Sequence, residues 1–120
     1  MSTLRIVGLL AAVGIAAASG GSLMVSAPTI AAKLENPMES DRSAPRAGAK
    51  LYARECAACH GVNREGRGNA PPLDRPDVQQ AASGTLFWVL RNGSVQRGMP
   101  SFAHLPEAQR WQIVTYLRNK

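Results

Sequence analysis

The chain has 120 residues, of which 18% are charged, and its formal net charge at pH 7 is +6. This length is enough for one small domain and excludes a multidomain enzyme, while two cysteines are too few for a disulfide-dense scaffold. Residues 1–45 contain three basic and three acidic residues, whereas residues 46–120 contain eleven and five. The whole excess of positive charge therefore lies in the second segment, which also contains all six aromatic residues.

Residues 1–32 are predicted to be an export segment. No charged residue occurs from Ile6 to Ala32, and Arg5 directly precedes this run. A short basic start followed by an apolar stretch is typical of a secretory signal peptide. A retained membrane anchor is the alternative, because a helix needs about 20 mostly apolar residues to span a bilayer. In either case the downstream domain is expected to be periplasmic or otherwise extracytoplasmic, soluble or anchored to the membrane through residues 6–32.

Residues 33–45 are predicted to be a polar linker. Their sequence, KLENPMESDRSAP, contains two prolines and no apolar periodicity, which indicates a tether rather than a structural element. The remaining residues, 46–120, are the predicted domain. A domain this small has a thin hydrophobic core and often depends on a disulfide, a metal or a cofactor.

The predicted domain is all-α, with three main short helices and long loops. The first helix should begin after Pro45 and extend to about Ala58, and the second should cover about Thr85–Asn92. The third should open at Leu105-Pro106-Glu107 and continue towards the end of the chain, with an apolar stripe formed by Trp111, Val114 and Leu117. Residues 61–82 show no strand alternation. Loops of this length in so small a domain are expected only where a bound group lies beneath them.

The motif Cys56-Ala57-Ala58-Cys59-His60 is C-x-x-C-H, the attachment pattern of c-type haem. Two thiols about one helical turn apart can form thioethers with two vinyl groups along one edge of a porphyrin. The adjacent imidazole then lies below the ring, where it can bind the iron. The sequence therefore predicts one haem c, attached covalently through Cys56 and Cys59, with His60 as an iron ligand.

The same residues allow three other interpretations. A structural zinc site could use Cys56, Cys59, His60 and His104, but zinc sites usually present two spaced pairs of ligands. A thioredoxin-like dithiol requires a βαβ context, which the sequence lacks. A plain disulfide between Cys56 and Cys59 would leave His60 and the long loops unexplained.

Met99 is the candidate for the second axial ligand. It is the only methionine in residues 46–120, and it lies in the sequence Gly98-Met99-Pro100, where the proline helps to fix the loop. A thioether is a soft, neutral ligand that favours ferrous iron and raises the reduction potential. Core filling is the alternative role for a methionine. His104 is the alternative ligand, and it would give a lower potential.

Across about residues 46–120, the chain resembles the class I c-type cytochromes. The matching motifs are GAKLYARECAACHG, APPL, RGMPSF and WQIVTYLR. The resemblance implies the cytochrome c fold, in which helices and long loops surround one covalently bound haem. It also implies that a glycine of the first helix packs against an aromatic residue of the last, here Gly48 and Tyr116 with Tyr52 beside them.

The resemblance further implies two cofactor-binding residues in the loop after the haem motif. A proline in this loop offers its carbonyl to Nδ1–H of the proximal histidine, and Pro71 matches that position. Leu73 matches the apolar residue that follows on the haem face. Ala70 departs from the family pattern, because many members have glycine before this proline. Such a hydrogen bond orients the imidazole and tunes the iron.

Other residues near the predicted site leave alternatives open. Phe87 or Trp88 could form a wall of the haem site, or both could be ordinary core residues. Arg64, Arg67 and Arg75 could pair with the haem propionates, but a solvated role is favoured for at least two of them.

The predicted function is one-electron transfer, without enzymatic activity of the chain itself, whether alone or as a subunit of an oxidoreductase complex. Filled axial positions leave no coordination site for peroxidase, oxygenase or gas-carrier chemistry. The basic surface favours redox partners with an acidic docking surface, either a dehydrogenase or a terminal oxidase. No basic-aromatic interleaving supports nucleic-acid binding. The alternative function is a haem sensor or weak peroxidase with a displaceable Met99.

Overall fold

The structure, a computed structural model, describes residues 27–119. Most of the predicted export segment therefore lies outside the described residues. Within them, no helix is long and apolar enough to cross a membrane. The helices are α1 (Ala44–Glu55), α2 (Ala57–His60), α3 (Pro76–Gln79), α4 (Ser83–Asn92) and α5 (Glu107–Arg118), together with two 3-10 helices, Thr29–Lys33 and Val95–Arg97.

The all-α prediction is confirmed for residues 27–119, which contain isolated β-bridges but no strand. The predicted bounds of two helices differ from those in the structure. The first helix ends at Glu55, and Cys56, with φ −120° and ψ −32°, separates it from the short α2. The second begins at Ser83 instead of Thr85. The predicted loop 61–82 contains α3, a single turn that starts with a proline and buries Val78.

The fold is organised around the crossing of α1 and α5. A Cβ atom added to Gly48 would collide with the backbone carbonyl of Gln112 and would lie 2.7 Å from Cβ of Tyr116. Only a residue without a side chain therefore permits this approach. Beside the crossing, the rings of Tyr52 and Tyr116 meet at a centroid distance of 5.3 Å and an angle of 51°. This is the contact that the family resemblance predicts.

The hydrophobic core continues from α5 onto α4. The rings of Phe87 and Trp111 are stacked, with centroids 3.9 Å apart and planes 13° apart. The predicted apolar stripe of α5, formed by Trp111, Val114 and Leu117, is buried, and so is the neighbouring Ile113. Phe87 is thus a core residue that joins the two helices.

Residues 29–43 pack on the domain, in contrast to the predicted polar linker over 33–45. The amide of Asn36 donates a hydrogen bond of 2.9 Å to Oγ1 of Thr115, and Glu39 forms an ion pair of 3.1 Å with Arg118. Met38 packs against the core, and α1 itself begins inside the predicted linker. Polar composition concealed these contacts because hydrogen bonds and ion pairs leave no apolar periodicity in the sequence.

Substitution Gly48→Ala should lower the free energy of unfolding by about 2 kcal/mol or more, because the added methyl group has no room at the crossing. Helix propensity alone favours alanine by about 1 kcal/mol, so a net loss would come from packing. Denaturant unfolding measures the effect. The control, Ala53→Gly on the exposed side of α1, reports propensity alone. A stabilised Gly48→Ala variant would contradict the close crossing.

Candidate functional site

One large cavity, of about 560 Å³, opens between the end of α1, α2, the following loop, α4 and the loop after α4. Its volume lies within the range of roughly 300–1,000 Å³ that is typical of ligand sites. The cavity is mostly apolar, yet it is lined by two thiols, an imidazole and a thioether. The lining includes all six residues that were predicted to bind a cofactor: Cys56, Cys59, His60, Pro71, Leu73 and Met99.

His60 is held in a defined orientation. Its side chain is buried, and Nδ1–H donates a hydrogen bond of 2.8 Å to the carbonyl oxygen of Pro71. Because a carbonyl can only accept, this bond places the proton on Nδ1. The nitrogen that remains available for a metal is Nε2.

The loop after α2 brings Pro71 to His60 through backbone hydrogen bonds. Gly66 N–H donates to the carbonyl of His60 at 2.6 Å, and Leu73 N–H donates to the carbonyl of Arg64 at 2.8 Å. Ala70 forms an antiparallel bridge with Arg67 and has a negative φ. An alanine is therefore accommodated at this position, where many family members have glycine.

The two cysteines differ in exposure. Cys56 is buried and Cys59 is exposed, and the thiols are not bridged. Burial raises the pKa of the Cys56 thiol to about 12, with smaller contributions from the nearby charges of Glu55 and Cys59. Residues 27–119 contain no strand, so they lack the βαβ context that a thioredoxin-like dithiol requires.

Met99 enters the cavity from a tight loop that follows α4. Ser94 and Met99 exchange two backbone hydrogen bonds, of 3.0 and 3.1 Å. The single turn Val95–Arg97 and Gly98, which adopts φ +90°, close the loop between them. The left-handed backbone of Gly98 reverses the chain directly before Met99.

Neither of the two aromatic residues that were predicted as alternatives for a wall of the haem site lines the cavity. Among the described residues that line the cavity, neither Phe87 nor Trp88 occurs. Phe87 stacks on Trp111 instead. The α4 side of the cavity is formed by Leu86, Val89 and Leu90. Their three- and four-residue spacing could have identified them as one helical face.

The arginines after α2 have different environments. Arg64 lies over the ring of Tyr116 at 5.0 Å, and Arg75 forms an ion pair of 3.0 Å with Asp77. Arg67 lines the cavity. Arg97 also lines it. This residue begins the matching motif RGMPSF, but no role was predicted for it from the sequence.

His104 does not line the cavity. It is exposed, and its ring lies 5.9 Å from that of Phe102. Among residues 27–119, no three His, Cys, Asp or Glu side chains are grouped in a way that could hold a metal ion. The structure thus offers no zinc site of the kind considered from the sequence.

Tyr52 supports the backbone next to His60. Its buried hydroxyl donates a hydrogen bond of 2.7 Å to the carbonyl of Gly61. Burial raises the pKa of Tyr52 to about 12, and the neighbouring Cys56 and Tyr116 contribute in the same direction. Tyr52 therefore connects the α1–α5 crossing to the histidine-bearing turn.

Comparisons with known proteins show where the chain has relatives. Residues 43–117 match the family described as cytochrome c oxidase, cbb3-type, subunit III. The quinohemoprotein alcohol dehydrogenase ADH-IIG of Pseudomonas putida is 35% identical over 88 residues, which are 70% of this chain and 12% of that protein. Cytochrome CL from the marine methylotroph Methylophaga aminisulfidivorans matches with a TM-score of 0.60 and 26% identity, covering 70% of this chain and 57% of that one. The chain thus spans only part of either relative.

Substitution Tyr52→Phe should lower the free energy of unfolding by about 1–2 kcal/mol at pH 7, because the buried carbonyl of Gly61 loses its donor. The wild-type contribution from Tyr52 is complete below pH 10 and is lost as pH rises towards 12, since the unfolded tyrosine ionises first. Between pH 10 and pH 12, the free energy of unfolding should therefore fall less in the variant than in the wild type.

Tyr116→Phe is the control, because it leaves the hydrogen bond between Tyr52 and Gly61 in place. An unchanged pH dependence in Tyr52→Phe would show that the buried hydroxyl does not cause the alkaline loss of stability.

Proposed function

The chain belongs to the class I c-type cytochromes, in the cbb3-type subunit III family, and from that premise we propose that it carries single electrons through one covalently held haem c. Electron transfer is the activity of this family, and haem c is its cofactor. The proposal assigns covalent attachment to Cys56 and Cys59, and axial ligation to His60 and Met99.

The observation that carries this proposal is the convergence of all four side chains on one apolar cavity. Cys56 and Cys59 would each add a thiol across a vinyl group, while His60 Nε2 and the Met99 sulfur would bind the iron. When bound, haem c supplies reversible one-electron chemistry. Pro71 keeps His60 in the tautomer that leaves Nε2 free, and Leu73 contributes to the apolar lining.

Two filled axial positions favour outer-sphere transfer over catalysis. Peroxidase and oxygenase chemistry requires a coordination position that an external ligand can enter. The tight Ser94–Met99 loop would resist displacement of the thioether. A sensor or weak peroxidase, in which Met99 leaves the iron, is the alternative function.

A dehydrogenase is the electron donor that we propose. One relative is named as a quinohemoprotein alcohol dehydrogenase, and the segment that is similar to this chain makes up 12% of that protein. A terminal oxidase is the corresponding acceptor, in keeping with the description of the family. The proposed location of the domain is the periplasm, which suits both partners, and residues 6–32 would serve as its export signal or anchor.

The proposed docking surface is the α1 basic row, formed by Arg46, Lys50 and Arg54. These exposed residues recur every four positions, so they lie along one side of the helix. Their side is opposite the face that Gly48 packs against α5. The row extends over about 12 Å and ends next to Glu55, which lines the cavity.

The distribution of charge favours the α1 basic row over the margin of the cavity as the docking surface. The charged side chains that line the cavity are Glu55, Arg67 and Arg97. The two propionates of a bound haem would offset the two arginines. The α1 basic row, where Arg54 alone is paired (with Glu55 at 2.6 Å), retains positive charge that can attract an acidic partner.

Substitution Met99→Ala should lower the reduction potential and allow carbon monoxide to bind the reduced protein, because the soft axial ligand is lost. Redox titration and carbon monoxide difference spectra measure both effects in the haem-loaded protein. The wild type should give a pyridine haemochrome spectrum of haem c, a near-infrared thioether band and no rapid carbon monoxide binding. Rapid binding by the wild type would favour the sensor or peroxidase alternative.

Substitution Lys50→Glu should reduce the second-order rate of electron transfer from an acidic [2Fe–2S] ferredoxin by about 3- to 10-fold at low ionic strength. Stopped-flow kinetics at several salt concentrations measure the rate, and the difference should shrink as salt screens the charges. Arg91→Glu is the matched control, because it makes the same charge change at an exposed residue of α4. Equal effects of the two variants would contradict docking on α1.

A further inference from the structure

Arg110, in the first turn of α5, is buried without a carboxylate partner among the described residues. Its Nη1 donates hydrogen bonds to the backbone carbonyls of Leu105 and Ala103, the latter at 3.1 Å, and makes a longer contact of 3.5 Å with that of Phe102. The guanidinium carbon lies 5.1 Å from the centroid of the Phe87 ring. A cation is costly to bury, so this arrangement requires the carbonyls and the ring to compensate it.

These carbonyls belong to the segment that joins Met99 to α5. The start of the segment is fixed by the two backbone hydrogen bonds between Met99 and Ser94. Its middle is fixed to α4, because Phe102 N–H donates to the carbonyl of Leu90 at 2.8 Å and Ser101 Oγ donates to that of Arg91. Arg110 fixes the last part of the segment through side-chain hydrogen bonds that come from α5.

Arginine suits this task better than any other side chain. Several carbonyls converge on Nη1, and the flat guanidinium can lie against an aromatic face at the same time. Phe87 is in turn stacked on Trp111, so the guanidinium is held between the loop and the α4–α5 core. The buried Nε has no hydrogen-bond partner among the described residues, which indicates that the position is determined by Nη1 and the ring.

We propose that Arg110 is the positioning residue for Met99: it holds the segment 102–105 against α5 and thereby keeps the thioether in the cavity. Removal of Arg110 leaves the buried carbonyl of Leu105 without this donor and frees the carbonyl of Ala103, and the segment then shifts to reach solvent. This inference rests on the proposed function in one respect, namely that Met99 is the axial ligand. Groups that orient a metal ligand commonly change its binding when they are replaced.

The test compares Arg110→Met with Val114→Ala in the haem-loaded protein. Methionine keeps much of the length of the side chain but provides no donor, whereas Val114 is a fully buried residue of the same helix that lies outside the segment. We expect Arg110→Met to weaken the near-infrared thioether band and to raise the affinity of the reduced protein for carbon monoxide about 10-fold or more. Val114→Ala should keep the wild-type band and affinity even though it is less stable.

Arg110→Lys keeps the positive charge but not the planar guanidinium. Its carbon monoxide affinity should lie between those of the wild type and Arg110→Met. If Arg110→Met does not fold, this variant provides the test. Wild-type carbon monoxide affinity in both Arg110 variants would overturn the proposal. So would an equal change in Val114→Ala, because general loss of stability would then be sufficient. A wild-type protein that lacks the thioether band would instead overturn the assignment of Met99 as ligand, and with it this role of Arg110.

Discussion

The crossing of α1 and α5 at Gly48 is the constraint on which the rest of the molecule depends. The two helices approach so closely that a single methyl group would collide with the backbone of Gln112. From this crossing α1 carries Tyr52 to the carbonyl of Gly61, directly after His60. From the same crossing α5 carries Arg110 to the segment that follows Met99. One contact between backbones therefore orients the supports of both proposed iron ligands.

The two proposed ligands are held by different kinds of structure. His60 follows α1 within five residues, and its partner Pro71 lies eleven residues further along the chain. Local hydrogen bonds are sufficient to bring them together. Met99 is remote from His60 in sequence, and its position depends on α4, on the loop closed at Ser94 and on α5. Long-range packing therefore determines the methionine side of the cavity, where a displaceable ligand would also be found.

This difference explains what could be predicted from the sequence. The spacing of Cys56, Cys59 and His60 is local, so the pattern alone predicted a haem-attachment turn, and the family resemblance predicted the contact of Pro71 with His60 that the structure contains. The cavity-lining face of α4 was missed, and attention fell on Phe87 and Trp88, because aromatic size says nothing about which side of a helix faces a cofactor. Arg110 was missed for a related reason. A buried arginine has the same appearance in a sequence as an exposed one, and its partners here are backbone carbonyls, which carry no sequence signal.

The positions of the arginines change how the net charge of the domain is interpreted. A basic domain suggests a docking surface, yet several of its cations have structural roles: Arg110 is buried, Arg118 and Arg75 pair with carboxylates, and Arg64 lies on Tyr116. The number of basic residues therefore overstates the number of cations that are available to a partner. Three of the remaining cations, Arg46, Lys50 and Arg54, form a short row along the outer side of α1, in which only Arg54 is paired with a described residue, and the row ends next to the cavity. A partner attracted by that row would approach the turn that carries Cys56 and Cys59, the two residues proposed to attach the haem.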